Sequence, residues 1–212
     1  MHRPRHCFRR QQTVSVYACH HWQHVKRLLR YQKGTPSHSL QIAPATSTDL
    51  IAFADSDWAG DSDDRTSIMA FLIYYSWKSN KQHSVACSSM EAEYRALAHA
   101  TSDLLWVQSL LRELHRPTSS PPVLYCDNLS VVNFACNPIH HSRMKHLALD
   151  YLFVRDLAQA TALHVRHIPT THQLADSLTK LLPITRFQLL RSKIGVVPAT
   201  VLRVRDKDTT LV

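Results

Sequence analysis

The chain has 212 residues and a net charge of +9, with 25 Lys and Arg residues against 16 Asp and Glu. This length suits one domain of about 150 residues with extra segments, and it argues against two full domains. The excess of positive charge predicts attraction to nucleic acid or to another anionic surface.

The cysteines and the hydropathy pattern indicate the compartment. The five cysteines are odd in number, and two lie in or beside apolar runs, so reduced thiols are predicted rather than a disulfide framework. No apolar run reaches the roughly 18 residues that a membrane helix needs. The sequence therefore predicts a soluble intracellular protein.

The first quarter of the chain carries little regular pattern. Residues 1–20 are basic and show no hydrophobic period, so they are predicted to be partly disordered. Residues 21–33 space their apolar side chains at helical intervals and end at Gly34, which predicts a short basic amphipathic helix. Residues 37–49 are mostly polar or small and predict a linker.

A zinc site near the N-terminus is an alternative use of this segment. The candidate ligands are Cys7, Cys19, His20, His21 and His24. Their spacing lacks the paired Cys-x-x-Cys of a zinc knuckle. A basic, histidine-rich segment without metal is the preferred interpretation.

Three strands are predicted to begin the compact domain. Leu50 to Ala54 is a short apolar run that ends at Asp55. Residues 68–75 and 77–87 follow as an antiparallel pair. The turn between these two strands must be tight, and it contains no glycine.

A long helix is predicted from Ser88 to about His115. Its apolar stripe comprises Leu97, Ala100, Leu104, Val107, Leu111 and Leu114. Counting back along the stripe in steps of three or four reaches Tyr94 and then Glu91. Glu91 is therefore expected to face the sheet, whereas Glu93 is expected to point elsewhere.

The second half of the chain alternates strands and helices. The predicted elements are a strand at 123–126, helices at 128–136 and 146–158, a strand at 162–168 and a helix that carries Asp176. Asp127 directly follows the first of these strands. This order predicts a mixed α/β domain.

Four carboxylates stand where a strand ends or a helix begins: Asp55, Glu91, Asp127 and Asp176. If these elements form one sheet, the four can converge around a divalent metal. Each acid alone also has a structural explanation, as a turn residue, a capping box, a strand exit or a partner of the helix dipole. One shared site explains all four together.

An ordered set of motifs resembles the ribonuclease H domain at the end of the Pol polyprotein of copia-type LTR retrotransposons. The motifs are SDWAGDSDDR, SWKSNKQ, SSMEAEYRALA, LYCDN, HSRMKH and LADSLTK. HHWQHVKRLLRYQKGTPSHSL resembles the segment that joins reverse transcriptase to this domain. The resemblance implies a reverse-transcriptase and connection remnant at 1–48, a ribonuclease H-like domain at 49–195 and a tail at 196–212.

The resemblance also implies a fold, an activity and partners. The fold is α/β, with a mixed five-stranded sheet whose first three strands are antiparallel, flanked by helices. The activity is hydrolysis of the RNA strand of RNA·DNA hybrids during reverse transcription, by a metal-dependent endonuclease without a small-molecule cofactor. The expected partners are the hybrid and the reverse-transcriptase region of the same polyprotein, in a cytoplasmic virus-like particle or the nucleus.

The implied site is a tetrad of Asp55, Glu91, Asp127 and Asp176 that holds two Mg²⁺ ions, with Mn²⁺ as an alternative. Two such ions can activate a water and stabilise the leaving oxygen in an in-line displacement at phosphorus. Candidates for holding the hybrid's phosphates are Lys78, Lys81, Arg95, Arg143 and Lys145. His167 is either a proton shuttle or a structural histidine at a strand end.

One departure from the family pattern bears on activity. The hairpin between the first and second strands of the domain is expected to lack about five residues and its glycines, which leaves a strained reversal. Such a change could displace the strand that carries Asp55. A catalytically inactive remnant that binds nucleic acid by charge alone is therefore the alternative function.

Overall fold

The structure is a computed structural model that describes residues 22–41, 47–137 and 148–199, apart from positions 24, 62 and 75. The chain divides into two compact units. One unit comprises residues 1–41 together with 196–212, and the other comprises residues 42–195.

The first unit contains one helix and a two-stranded sheet. Residues 22, 23 and 25–34 are helical and form helix α1, which extends one residue past the segment 21–33 for which a helix is predicted. Strands β1 (His38–Leu40) and β7 (Val196–Pro198) pair antiparallel, with Leu40 opposite Val196. Strand β1 therefore lies in the segment predicted to be a linker.

The second unit is built on a mixed five-stranded sheet. Its strands are β2 (Ile51–Asp57), β3 (Ile68–Ile73), β4 (Ser76–Lys81), β5 (Val123–Cys126) and β6 (His164–His167). They lie in the order β4-β3-β2-β5-β6, with β2, β3 and β4 antiparallel and with β5 and β6 parallel to β2. This is the predicted ribonuclease H-like sheet.

Helices cover both faces of this sheet. They are α2 (Ser89–Glu113), α3 (Leu129–Cys136), α4 (Ala148–Gln159), the single turn α5 (Asp176–Thr179) and α6 (Ile184–Ile194), with a 3₁₀ turn at Thr170–His172. The sequence did not predict α6. Leu114, expected on the buried stripe of α2, is instead 62% exposed, because it lies at the C-cap beyond the last turn.

Alternating side chains of the strands form two hydrophobic clusters. Ala52 and Ala54 of β2 pack in a cluster with side chains of α2, α3 and α4, whereas Phe53 packs with Leu174 and Leu190 on the opposite face. Because both faces are covered, β2 is buried through Ser56. Asp55 consequently lies inside the strand, so the prediction that it stands at the strand's exit is wrong.

The short reversal connects β3 to β4, the second and third strands of the domain, where a tight turn without glycine is predicted. It does not lie between the first and second strands, where the shortened hairpin is expected. Ile73 pairs directly with Ser76, so two residues of the sequence separate the strands. Although the connection has only two residues, all six residues of β3 pair with β4. The β2–β3 ladder is complete and places Asp55 opposite Ala70, so the short reversal does not displace Asp55.

The described part of the chain contains no helix that combines the length and the apolar character required to cross a membrane.

Candidate metal centre

Three of the four predicted acids meet at one end of the sheet. Asp55 lies within β2, Asp127 follows β5, and Asp176 is the first residue of α5. One carboxylate oxygen from each lies within 4.8 Å of the others. Asp55 and Asp176 are each 1% exposed, so their charges are almost fully removed from solvent.

A buried glutamine places the segment that carries Asp176. Gln173 is fully buried, and its Nε2 donates a hydrogen bond of 2.9 Å to the carbonyl oxygen of Ala54 in β2. Its Oε1 accepts a bond from the backbone N–H of Ala175, 3.3 Å away. The turn before α5 is therefore attached to the strand that carries Asp55.

The fourth acid at this end of the sheet is Glu93, whereas Glu91 is predicted for this place. A Glu93 carboxylate oxygen lies within 4.8 Å of ligand atoms of Cys126 and Asp127. Glu93 also accepts hydrogen bonds from Asn128 Nδ2 at 3.2 Å and from Cys126 Sγ at 3.6 Å. The expectation that Glu93 points elsewhere is thus wrong.

Glu91 binds the loop before α2. Its Oε2 accepts a hydrogen bond of 2.8 Å from the backbone N–H of Cys87, and its Oε1 pairs with Arg95 at 2.5 Å. Arg95 also donates to the Ser84 carbonyl and hydroxyl oxygens. Glu91 thus contacts the loop and Arg95, and it belongs to neither group of converging acids in the described chain.

The apolar stripe of α2 contained the signal for Glu93. Stepping back four residues from Leu97 reaches Glu93, whereas stepping back three reaches Tyr94 and then Glu91. Both paths are consistent with a helix of 3.6 residues per turn. Near a helix start, periodicity alone does not separate two acids two residues apart.

Burial raises the pKa of two acids in this cluster. For Glu93, burial is the largest cause and raises the pKa to about 7, and repulsion from Asp127 and Asp55 adds to the shift. The pKa of Asp55 is raised by burial, which outweighs the attraction of Lys180 and the hydrogen bond from Thr179. Burial likewise raises the pKa of the Cys126 thiol, so this sulfur stays protonated and is a poor metal ligand.

Two cationic side chains compensate the buried carboxylates, and neither is among the predicted site residues. Lys180 Nζ lies 3.0 Å from Asp55 Oδ1 and 2.8 Å from Asp176 Oδ1. Arg186 of α6 pairs with the other oxygen of Asp176. The sequence signal for Lys180 was its spacing, four residues after Asp176.

The predicted phosphate-binding residues differ in their surroundings. Lys78 is exposed on the edge strand β4, whereas Lys81 is paired with Asp61 at 2.6 Å and Asp64 at 2.7 Å. Arg95 is occupied by Glu91. Two further predicted residues, Arg143 and Lys145, lie outside the described part of the chain, as do the candidate zinc ligands.

His167 lies at the end of β6, beside the acidic cluster. Its Nε2 is 3.2 Å from the backbone carbonyl oxygen of Asp127, and the side chain is exposed. This contact joins the imidazole to the backbone that follows β5. Both interpretations of His167 remain predictions.

The donor set fits a hard divalent cation. Asp55, Asp127, Asp176 and Glu93 offer carboxylate oxygens, which Mg²⁺ prefers, and the nearby sulfur is protonated. The amine of Lys180 already lies between two of these carboxylates, so a positive charge is compatible with this place.

The chain is similar to segments of transposon proteins, although no protein-family model matches it. It is 48% identical to the retrovirus-related Pol polyprotein from transposon RE2 of Arabidopsis thaliana over 182 residues, which are 84% of this chain and 12% of that protein. The corresponding protein from transposon TNT 1-94 of Nicotiana tabacum is 34% identical over 181 residues, 83% of this chain and 14% of the relative. The chain thus spans a small part of these relatives' length.

Solved structures with a similar course of the chain include two ribonucleases H. The N-terminal ribonuclease H domain of a Mycobacterium tuberculosis protein, in a fusion with maltose-binding protein, has a TM-score of 0.48 and 13% identity, covering 69% of this chain and 99% of that chain. LC11-RNase H1 in complex with an RNA/DNA hybrid has a TM-score of 0.46 and 15% identity, covering 62% of this chain and 94% of that chain.

Proposed function

Because the chain belongs to the retrovirus-related Pol polyproteins of transposons and has a ribonuclease H fold, we propose that it hydrolyses the RNA strand of RNA·DNA hybrids. The proposed enzyme is a metal-dependent endonuclease of copia type that acts during reverse transcription. The observation that carries this proposal is the convergence of Asp55, Asp127 and Asp176, with Glu93 beside Asp127.

The four carboxylates would hold two Mg²⁺ ions, or Mn²⁺ in their place. When bound, such ions supply an activated water and neutralise charge on the leaving oxygen. The protein's own contribution is to hold the ligands rigidly: Asn128 orients Glu93, and Gln173 fixes the turn before Asp176. Burial keeps competing water away from Asp55 and Asp176.

The proposed substrate fits the charge of the chain. A net charge of +9 favours a polyanion, and phosphate contacts hold a duplex without reading its sequence. The exposed Lys78 on β4 is the described candidate for such a contact. The 2′-hydroxyl groups of an A-like duplex would mark the RNA strand. The reverse-transcriptase region of the same polyprotein is the proposed protein partner, in a virus-like particle or the nucleus.

One observation favours a second candidate, a protein that binds hybrids without cutting them. Lys180 and Arg186 already neutralise Asp55 and Asp176 in the absence of metal. If these ion pairs persist in the presence of Mg²⁺, the carboxylates stay occupied. Such a protein would bind hybrids with a steep salt dependence that Mg²⁺ does not alter.

Two conservative variants of α2 test the proposal and the assignment of the fourth acid. Purified protein should cleave the RNA strand of a labelled hybrid with Mg²⁺, and Asp127→Asn should lower the rate about a hundredfold or more. Glu93→Gln should cause a similar loss, because it removes a charged metal ligand. Glu91→Gln, two residues away, should leave most of the activity because its oxygens bind Cys87 and Arg95.

The outcomes separate the possibilities. A folded wild-type protein that binds the hybrid but does not cleave it, with Mg²⁺ or Mn²⁺, would support the non-cleaving candidate. Loss of activity in Glu91→Gln with full activity in Glu93→Gln would show that Glu91, and not Glu93, is the fourth metal-binding carboxylate. Circular dichroism spectra of each variant control for folding.

A further inference from the structure

Lys180 has an unusual position in this centre. Its side chain is 37% exposed, yet its Nζ bonds to two carboxylates that are each 1% exposed. It stands at the C-cap of α5, four residues after Asp176, so one turn of helix links the amine to one of its acceptors. The amine therefore lies at the mouth of the acidic cluster, between solvent and the buried oxygens.

The buried carboxylates need a cation when the protein folds without metal. Two like charges at short distance in a poorly solvated place repel strongly, and desolvation adds to the cost. The hydroxyl of Thr179 and the guanidinium of Arg186 each bond to one of the acids. Lys180 differs from both, because it bridges Asp55 and Asp176 and lies between the oxygens that a metal would bind.

Lys180 and a divalent ion compete for the same oxygens. Mg²⁺ requires ligand oxygens at about 2.0 to 2.1 Å in a nearly octahedral arrangement. An ion held by the carboxylates of Asp55 and Asp176 would share them with the amine, which lies 3.0 Å from Asp55 Oδ1 and 2.8 Å from Asp176 Oδ1. Contact between two cations at this distance is strongly unfavourable.

We propose that Lys180 is a built-in counter-cation that occupies the metal position in the metal-free protein and leaves it when a divalent ion binds. This inference rests on the proposed metal-dependent function. The lysine stem is flexible and strongly hydrated at its end, and its exposed part gives it a path into solvent. Lys180 is thus a positioning residue that sets the metal concentration at which the centre becomes loaded.

Metal affinity measured on the whole chain tests the inference without reference to activity. Isothermal titration with MgCl₂ should show that Lys180→Met binds Mg²⁺ on the order of tenfold more tightly than wild type, because a competing cation is gone. Lys180→Arg, which keeps the charge, should bind Mg²⁺ close to the wild-type affinity. Lys193→Met is the matched control, since it removes an exposed lysine that contacts His172 and should not change the affinity.

A second measurement uses the wild-type protein and does not depend on the folding of a variant. Acetylation of individual lysines with an amine reagent is followed by mass spectrometry, with EDTA or with saturating Mg²⁺. Mg²⁺ should accelerate labelling of Lys180 severalfold and leave Lys193 unchanged. Equal labelling of Lys180 in both conditions would overturn the inference.

The two proposals fail in different ways. If wild-type protein binds Mg²⁺ but Lys180→Met binds it equally or more weakly, Lys180 does not compete with metal and only this inference falls. If neither protein binds Mg²⁺ or Mn²⁺, the metal centre itself is wrong, and the proposed function falls with it.

Discussion

Glu93 illustrates how burial sets the protonation of a single group. Its pKa rises to about 7 from an ordinary value of 4.5, first because it is buried and then because Asp127 and Asp55 repel its charge. The folded protein therefore favours the neutral carboxyl. The contribution of Glu93 to stability is complete below pH 4.5 and is lost as the pH rises through about 7.

Comparison with Glu93→Gln measures this effect, because glutamine mimics the neutral carboxyl at every pH. In EDTA, the wild type should lose about 2 kcal/mol of unfolding free energy relative to Glu93→Gln between pH 4.5 and 8. Urea denaturation at a series of pH values gives this difference, and other titrating groups cancel between the two proteins. A difference that does not change with pH would contradict the raised pKa.

At the residue scale, the sequence identified the three aspartates but not the glutamate. Asp55, Asp127 and Asp176 could be predicted because each stands beside an apolar run or at a helix start, and the strands and helix that carry them meet at one end of the sheet. Glu93 could not be separated from Glu91, since both are consistent with the stripe of α2. Lys180 could not be predicted, because Asp55 is distant in sequence and their ion pair exists only in the folded chain.

At the scale of elements, the start of α2 is fixed by a capping hydrogen bond. Ser88 has an extended backbone, and its hydroxyl oxygen accepts from the N–H of Glu91 at 3.2 Å. Glu91 does not complete a capping box with Ser88, because its carboxylate accepts instead from the N–H of Cys87. The same first turns of α2 carry Glu91 and Glu93, so this cap helps to position both acids.

Replacing the capping hydroxyl should weaken the fold. Ser88→Ala is expected to lower the unfolding free energy by about 1 kcal/mol, because the N–H of Glu91 loses its acceptor. Urea denaturation measures the change. Ser102→Ala, an exposed position in the same helix, is the matched control and should be neutral or slightly stabilising. Equal effects of the two substitutions would argue against the cap.

The elements that the sequence predicted are those with a strong internal pattern. The apolar runs at β2, β3 and β5 and the long stripe of α2 could be read directly. Helix α6 buries Leu190 fully and leaves most of its other side chains at least partly exposed, so its sequence lacks a clear stripe. Strands β1 and β7 contain three residues each, and each depends on a partner far away in the chain.

At the scale of the whole molecule, the net charge predicts that the chain binds nucleic acid, but local ion pairs decide which lysines can contact its phosphates. Lys81 is held by Asp61 and Asp64, and this pairing lowers the pKa of Asp64 to about 2. Lys78, three residues earlier on the exposed edge strand, has no ion pair with a described residue. The formal charge of +9 therefore does not tell which lysines can contact the phosphates of a bound duplex.

Salt dependence distinguishes these two lysines. Lys78→Gln should weaken hybrid binding and reduce the slope of log affinity against log salt concentration by about 1, as expected for one lost phosphate contact. Lys81→Gln should change the slope less, because its charge is already neutralised within the protein. Fluorescence anisotropy with a labelled hybrid at several salt concentrations provides the slopes. Identical slopes for wild type and Lys78→Gln would exclude Lys78 from the contact.

The short β1–β7 ladder has a mechanical consequence. Because Leu40 pairs with Val196, the two chain segments on either side of residues 41–195 are held about 5 Å apart. Tension applied to the two flanking segments would pull on this ladder first, and its three residue pairs would open one after another. The strand and helix that carry Asp55 and Asp176 would bear load only after that opening.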